Sequence, residues 1–223
     1  MRERRIGVSK QESAEDHGAV QLVKKVLDYG IDGAGPLSPA SSLAEEYKID
    51  VSYESVDERV DALIRWEAAK NFTSGFITGL GGIVTLPVAM PASIGASWII
   101  QARMCGAIAT LYGHDIRSDR VRTMVLLAIL GDLGKEIVKE AGVKIGQRLS
   151  LAMLEKLPGK LLAEINKRIG FRLLPKAGEK GFINLTKMVP GVGGVIGGGF
   201  DASTCMAVGH IAKHSFKPTR SRP

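Results

Sequence analysis

At 223 residues the chain suits one large domain, or one domain with a tail. Hydrophobic residues make up 45%, but glycine (27 residues) far exceeds its usual share of about 7%, and aromatics are only 5%. Such a core packs by close backbone approach, and the low aromatic content excludes one built on large rings. The formal charge of +7 is uneven: residues 1–134 carry 14 Lys/Arg against 17 Asp/Glu, and residues 135–223 carry 16 against 6. That asymmetry points to an anionic surface as partner, lipid or nucleic acid, with a solvated helix face as the plain alternative.

Residues 1–17 are polar and charged, and fraying is expected there. The charged start, Met1 to Arg5, leads into polar sequence rather than an apolar stretch, which argues against a secretory signal. Val20, Leu22, Val23, Val26 and Leu27 recur at helical spacing, and Gly30, Gly33, Gly35 and Pro36 end that helix. Residues 39–47, with Ser41, Ser42, Glu45 and Glu46, read as a short capped helix. A third helix starts near Ser55, with Asp57 and Glu58 favouring the dipole of its first turn, and runs through Val60, Leu63, Ile64 and Ala68.

From Asn71 to Ala102 the chain carries no charge, and Lys70 and Arg103 bracket this run. Pro87 and Pro91 forbid one straight helix through its middle. The expected arrangement is a helix over 72–86, a bend at 87–91, a second helix over 92–112, and a turn at Gly113 to Asp115. Ser118 or Asp119 caps a helix to Leu130; Gly131 and Gly134 weaken it there, with continuation to Glu140 as the longer alternative. Residues 143–157 read as an amphipathic basic helix stopped by Pro158-Gly159, and 161–174 as another with Lys167, Arg168 and Arg172 on its polar side. A connector with a short helix follows over 178–189. A second glycine segment runs from Pro190 to Phe200 and continues as a helix through Ile211. No strand-type alternation stands out. The reading is all-α: a single helical domain over 18–216 with two central Gly-rich, Pro-bent hairpin segments, and a disordered basic tail over 217–223.

The strongest motif is glycine spacing. Gly75 and Gly79, Gly193 and Gly197, and Gly194 and Gly198 stand four apart, which puts each pair on one helix face and lets a second helix approach closely. The same pattern serves a soluble core or packing at a membrane. Residues 80–100 are long enough to span a bilayer, but prolines divide them, so a re-entrant or buried hairpin fits better. Mean hydropathy of +0.08 argues against a polytopic membrane protein. Gly79-Leu80-Gly81-Gly82 and Gly191-Val192-Gly193-Gly194 follow no predicted strand and lack the Lys-Ser/Thr of a phosphate loop. Cys105 and Cys205 show no metal-type spacing and read as buried free thiols. His210 and His214 lie four apart, but no neighbouring ligands suggest a metal site. Gln101, Arg103 and Asp201 sit within or beside the apolar segments. Because a buried charge needs a partner, Arg103 is expected to meet Asp201, with Gln101 joining or with Asp132 or Glu136 as alternative partners. No serine elbow, Cys-His arrangement or paired carboxylates announce catalysis.

Several strings in order resemble the EcsC protein family. They are Gly79-Leu80-Gly81-Gly82 with Thr85-Leu86-Pro87, Gln101-Ala102-Arg103, Leu111-Tyr112-Gly113-His114-Asp115, Ile165-Asn166-Lys167-Arg168-Ile169-Gly170, Val189-Pro190-Gly191-Val192-Gly193-Gly194 and Asp201-Ala202-Ser203-Thr204. The resemblance covers about residues 54–216. It implies a helical, membrane-proximal protein, since the family takes its name from a protein encoded beside an ABC transporter linked to secretion. It carries over no catalytic residues. The closing Pro-Gly-Val-Gly-Gly pattern is also similar to membrane-associated helical domains found with small GTPases.

Three functions follow. The first is a non-enzymatic protein at the inner face of the cytoplasmic membrane, linked to ABC transport or secretion. Its basic half, namely Lys144, Arg148, Lys156, Lys160, Lys167, Arg168 and Arg172, would face anionic lipid, with a membrane protein as a further partner. The second is a soluble helical protein holding a lipid or other apolar ligand in its core. The third is a hydrolase using Asp132, Glu136 and His210. No cofactor, metal or nucleic-acid partner is expected.

Overall fold

The computed structural model describes residues 20–72, 92–146, 148–173 and 199–218, and the side chains of all of these but 71, 72, 92–96 and 199–201. They fold into nine helices, and the one extended pairing among them is an isolated bridge between Ala34 and Leu37. In chain order these are α1 (20–27, widening into a π-helical turn at Asp28–Asp32), α2 (Ala40–Lys48), α3 (Val56–Phe72), α4 (Ala92–Leu111), α5 (Asp119–Leu130), α6 (Asp132–Glu140), α7 (Leu151–Glu155), α8 (Gly159–Leu173) and α9 (Gly199–Phe216).

The sequence of α4 has no polar stripe, so only a fully surrounded helix suits it. Ile99 to Ala109 are buried on every face. The π-turn, α2, α3, α5 and α9 all pack against this helix. The expected close backbone approach is met at Gly30: a Cβ there would lie 2.5 Å from the Ala102 Cβ and 2.7 Å from the Ile99 carbonyl oxygen. The surface helices follow the amphipathic rule, with α8 burying Leu162, Ile165, Ile169 and Leu173 at three- and four-residue spacing.

Capping is uneven. At α3 the Glu58 N–H donates to Ser55 Oγ at 3.2 Å, and the Glu58 carboxylate accepts from the Glu54 N–H at 2.9 Å, a variant of the reciprocal cap. Pro39 and Ser118, at the starts of α2 and α5, make no side-chain cap bond.

One expectation is sharpened and one fails. The helix from Asp119 ends at Leu130, before the weakening Gly131, and the stretch to Glu140 is a separate helix, α6, that starts at Asp132. The basic helix expected over 143–157 shrinks to Leu151–Glu155. The cause is the end of α6. Gly142 takes φ +84°, its N–H donates to the Lys139 carbonyl at 2.9 Å, and the Val143 N–H donates to the Val138 carbonyl at 3.2 Å. This glycine-centred terminus turns the chain away from the helix axis. Val143 and Ile145 then face the core while Lys144 and Gly146 face out, an alternation that suits extended chain. At the end of α7 the Arg120 guanidinium donates to the carbonyls of Leu154 at 3.3 Å and Leu157 at 3.2 Å, just before Pro158, which has no N–H to continue the helix. No helix of the described residues is long and apolar enough to cross a membrane. The helix expected over 72–86, the bend at 87–91, the connector at 178–189 and most of the second glycine segment lie outside the described residues.

Candidate functional site: a buried arginine and a basic edge

Arg103 leaves the inner helix α4 toward the loop before α2, and it is only 7% exposed. Its Nε donates to the Ser38 carbonyl at 2.8 Å, its Nη2 to Ser38 Oγ at 2.6 Å, and its Nη1 meets Glu67 Oε2 at 3.5 Å. Glu67, on α3, is 1% exposed, and its other oxygen accepts from Lys70 Nζ at 3.1 Å. Thus the two cations that bracket the uncharged run bind one buried carboxylate. Nearby, burial first and then the Glu67 carboxylate hold the Tyr47 phenol above its ordinary pKa. The centre ties α3, α4 and the loop before α2 together at the two ends of the uncharged segment.

Glu67 was not singled out from the sequence, yet a signal existed. Val60, Leu63 and Ile64 mark the buried stripe of α3, and position 67 continues it at three-residue spacing, so a carboxylate stands where an apolar residue is due. Gln101 is buried, and its Nε2 donates to Ser97 Oγ at 3.2 Å, one turn back on the same helix. The Asp201 side chain lies outside the described ones. The alternative partners of Arg103 stand elsewhere: Asp132 and Glu136 are exposed on α6, and Asp132 pairs with Lys135 at 2.7 Å. His210, the third residue of the hydrolase reading, is exposed on α9.

The seven basic residues divide into two kinds. Arg172 pairs with Glu140 at 2.8 Å, and Arg168 pairs with Glu164 at 2.7 Å and reaches Glu140 at 3.6 Å. Lys167 lies 5.6 Å from the centre of the Phe171 ring. Lys144, Arg148, Lys156 and Lys160 are exposed and form no ion pair with the described residues.

The cysteines are buried free thiols, with Cys205 Sγ 3.7 Å from Met104 Sδ where α9 crosses α4. Burial, and then the neighbouring Cys205, push the Cys105 thiol pKa up, which makes it a poor nucleophile. Among the described residues no group of three or more His, Cys, Asp or Glu could hold a metal ion. Gly75, Gly79, Gly193, Gly194, Gly197 and Gly198 lie outside the described residues. A groove of about 330 Å³ lined by Val20, Val23, Ala163, Asn166 and Lys167 lies between α1 and α8, at the surface rather than in the core.

Neither a curated protein nor a solved structure matches the chain. A protein-family model does, and it spans both the buried arginine centre and the exposed basic residues Lys144, Arg148, Lys156 and Lys160. Matching residues 16–218, that model shows that the chain belongs to the EcsC protein family.

Proposed function

We propose that this protein docks, as a non-enzymatic peripheral component, on the inner face of the cytoplasmic membrane through its basic edge. One observation carries the reading: Lys144, Arg148, Lys156 and Lys160 are exposed and have no ion-pair partner among the described residues, whereas Arg168 and Arg172 are balanced by acidic neighbours. Near an anionic leaflet each unbalanced Lys or Arg contributes about 1 kcal/mol. Four together favour an anionic over a neutral surface by on the order of a thousandfold. The family's tie to an ABC transporter makes a transport or secretion protein the natural neighbour on that surface.

The test is flotation of the full chain with phosphatidylcholine vesicles, with and without phosphatidylglycerol, at low and high salt. Binding is expected only with the anionic lipid, weakening with salt and lost in the K144E/R148E/K156E/K160E variant. Equal binding to neutral vesicles, or an unaffected variant, would overturn the reading.

A further inference from the structure

The C-terminal end of α9 gathers positive and titratable groups beyond the lysines of the basic edge. His210 and His214 stand exposed one turn apart on α9. Lys213 and Lys217 lie on the same helix end, but α3 neutralises both: Lys213 pairs with Asp61 at 2.6 Å, and Lys217 pairs with Asp57. The segment before α7 is held against this end. The buried Ser215 hydroxyl donates to the Leu149 carbonyl at 3.2 Å, and Ser150 is extended. That bond brings the neighbouring Arg148 into the field of His214. From the turn after α4, His114 Nε2 lies 2.6 Å from the Phe216 carbonyl oxygen, and its ring lies 5.8 Å from that of Phe216. The end of the helix is therefore pinned from two sides.

The charge balance here is open. The α3 carboxylates are taken by the two lysines, leaving Arg148 with no ion pair among the described residues. His214 accordingly sits below its ordinary pKa, through burial first and then through Arg148, His210, Lys213 and Lys217. A group whose charged form is disfavoured by both burial and like charges gains from an added anion.

We propose that Arg148, His210 and His214 form a contact for phosphate-bearing anionic lipid headgroups that strengthens when the histidines become protonated. The inference rests on the membrane-docking reading above and adds a place and a pH dependence to it. Protonation at this helix end adds positive charge beside the Arg148 guanidinium, which already acts on His214. An anion there favours the imidazolium form, so binding takes up protons, and by linkage acidification tightens binding. At about 1 kcal/mol each, two added charges at the surface strengthen binding by roughly thirtyfold.

The experiment measures affinity of the full chain for phosphatidylcholine vesicles with and without phosphatidylglycerol, at about pH 7.5 and about pH 5.5, on either side of the usual histidine pKa. The expected result for the native sequence is a rise of roughly thirtyfold on acidification, confined to the anionic vesicles. H210Q/H214Q should cut the rise to less than about twofold, with far-UV dichroism confirming the fold. K144E/K156E/K160E should weaken binding at both pH values and keep the rise. Binding to anionic vesicles that is the same at both pH values, or a rise that survives H210Q/H214Q, overturns this inference and leaves membrane docking standing. Failure to bind anionic vesicles at either pH overturns the docking reading itself. A histidine NMR titration with inorganic phosphate is the last arm: if phosphate alone raises the His214 pKa while vesicle affinity stays flat, the contact belongs to free phosphate and the lipid assignment falls.

Discussion

Arg103 and Glu67 carry the sharpest residue-level consequences. Both charges are buried, at 7% and 1% exposure, so removing one strands the other. Glu67→Ala is expected to destabilise the protein by about 3–5 kcal/mol, read as a lower urea midpoint with an unchanged slope. Arg103→Lys should recover little of a comparable loss, because an ammonium cannot reproduce the two bonds from Nε and Nη2 to Ser38. A double-mutant cycle between positions 67 and 103 should return a coupling of about 1 kcal/mol or more, and strict additivity would show that the pair does not act as a unit. Gly30 makes the complementary steric case. Its absent Cβ would meet Ala102 and the Ile99 backbone within 2.7 Å, and backbone yields poorly. Gly30→Ala should therefore cost about 1–3 kcal/mol, the range of an overpacked core, and chemical unfolding of the single variant would measure it.

Between elements, the seam of α3 and α9 is fastened by ion pairs at one end and by apolar packing along its length. Asp57 accepts from Tyr112 Oη at 2.7 Å and pairs with Lys217. Lys217 first and Tyr112 second hold its carboxyl below the usual range. A depressed carboxyl stabilises the fold above its unfolded pKa of about 3.9, and this contribution is lost as pH falls through the lower folded value. Melting temperatures of the native protein and Asp57→Asn should therefore differ near neutrality and converge as the pH falls below about 4. A gap that persists undiminished in acid would assign the effect to packing instead. Ser215 acts across the same end of α9: Ser215→Ala leaves the Leu149 carbonyl without its donor and should cost about 1–2 kcal/mol in urea unfolding. The helices of this layer were legible as elements because apolar residues repeat along them, as in α8. The extended segment after α6 was not. Val143, Ile145 and Leu149 stand at even spacing while Leu151 and Leu154 stand three apart in α7, so the mixed pattern also reads as one helix, and the turn at Gly142 sets the extended part.

For the whole molecule, the uneven charge of the sequence resolves into local accounts. The second half is strongly basic; among its described residues Glu140 and Glu164 balance Arg168 and Arg172, while Lys139, Lys144, Arg148, Lys156 and Lys160 are exposed with no ion pair. Glu140→Gln removes the partner of Arg172 and one of the partners of Arg168. It should tighten binding to phosphatidylglycerol-containing vesicles by roughly fivefold, about 1 kcal/mol for a cation released to the surface. An unchanged affinity would place α8 away from the lipid.

The all-α class and the family were already written in the sequence. Both follow from local facts: helical periodicity, and ordered strings of residues along the chain. That α4 lies inside, with Gln101 and Arg103 buried, came from the packing of the helices around it. Pairing likewise came from the packed helices. Arg103 found Glu67 and Ser38, 36 and 65 residues away, and Arg172 found Glu140. Composition counts charges without saying which will neutralise each other, because that depends on which helix faces meet. Helix faces meet according to the apolar area they bury, and ion pairs then form among the charges that this packing brings into reach.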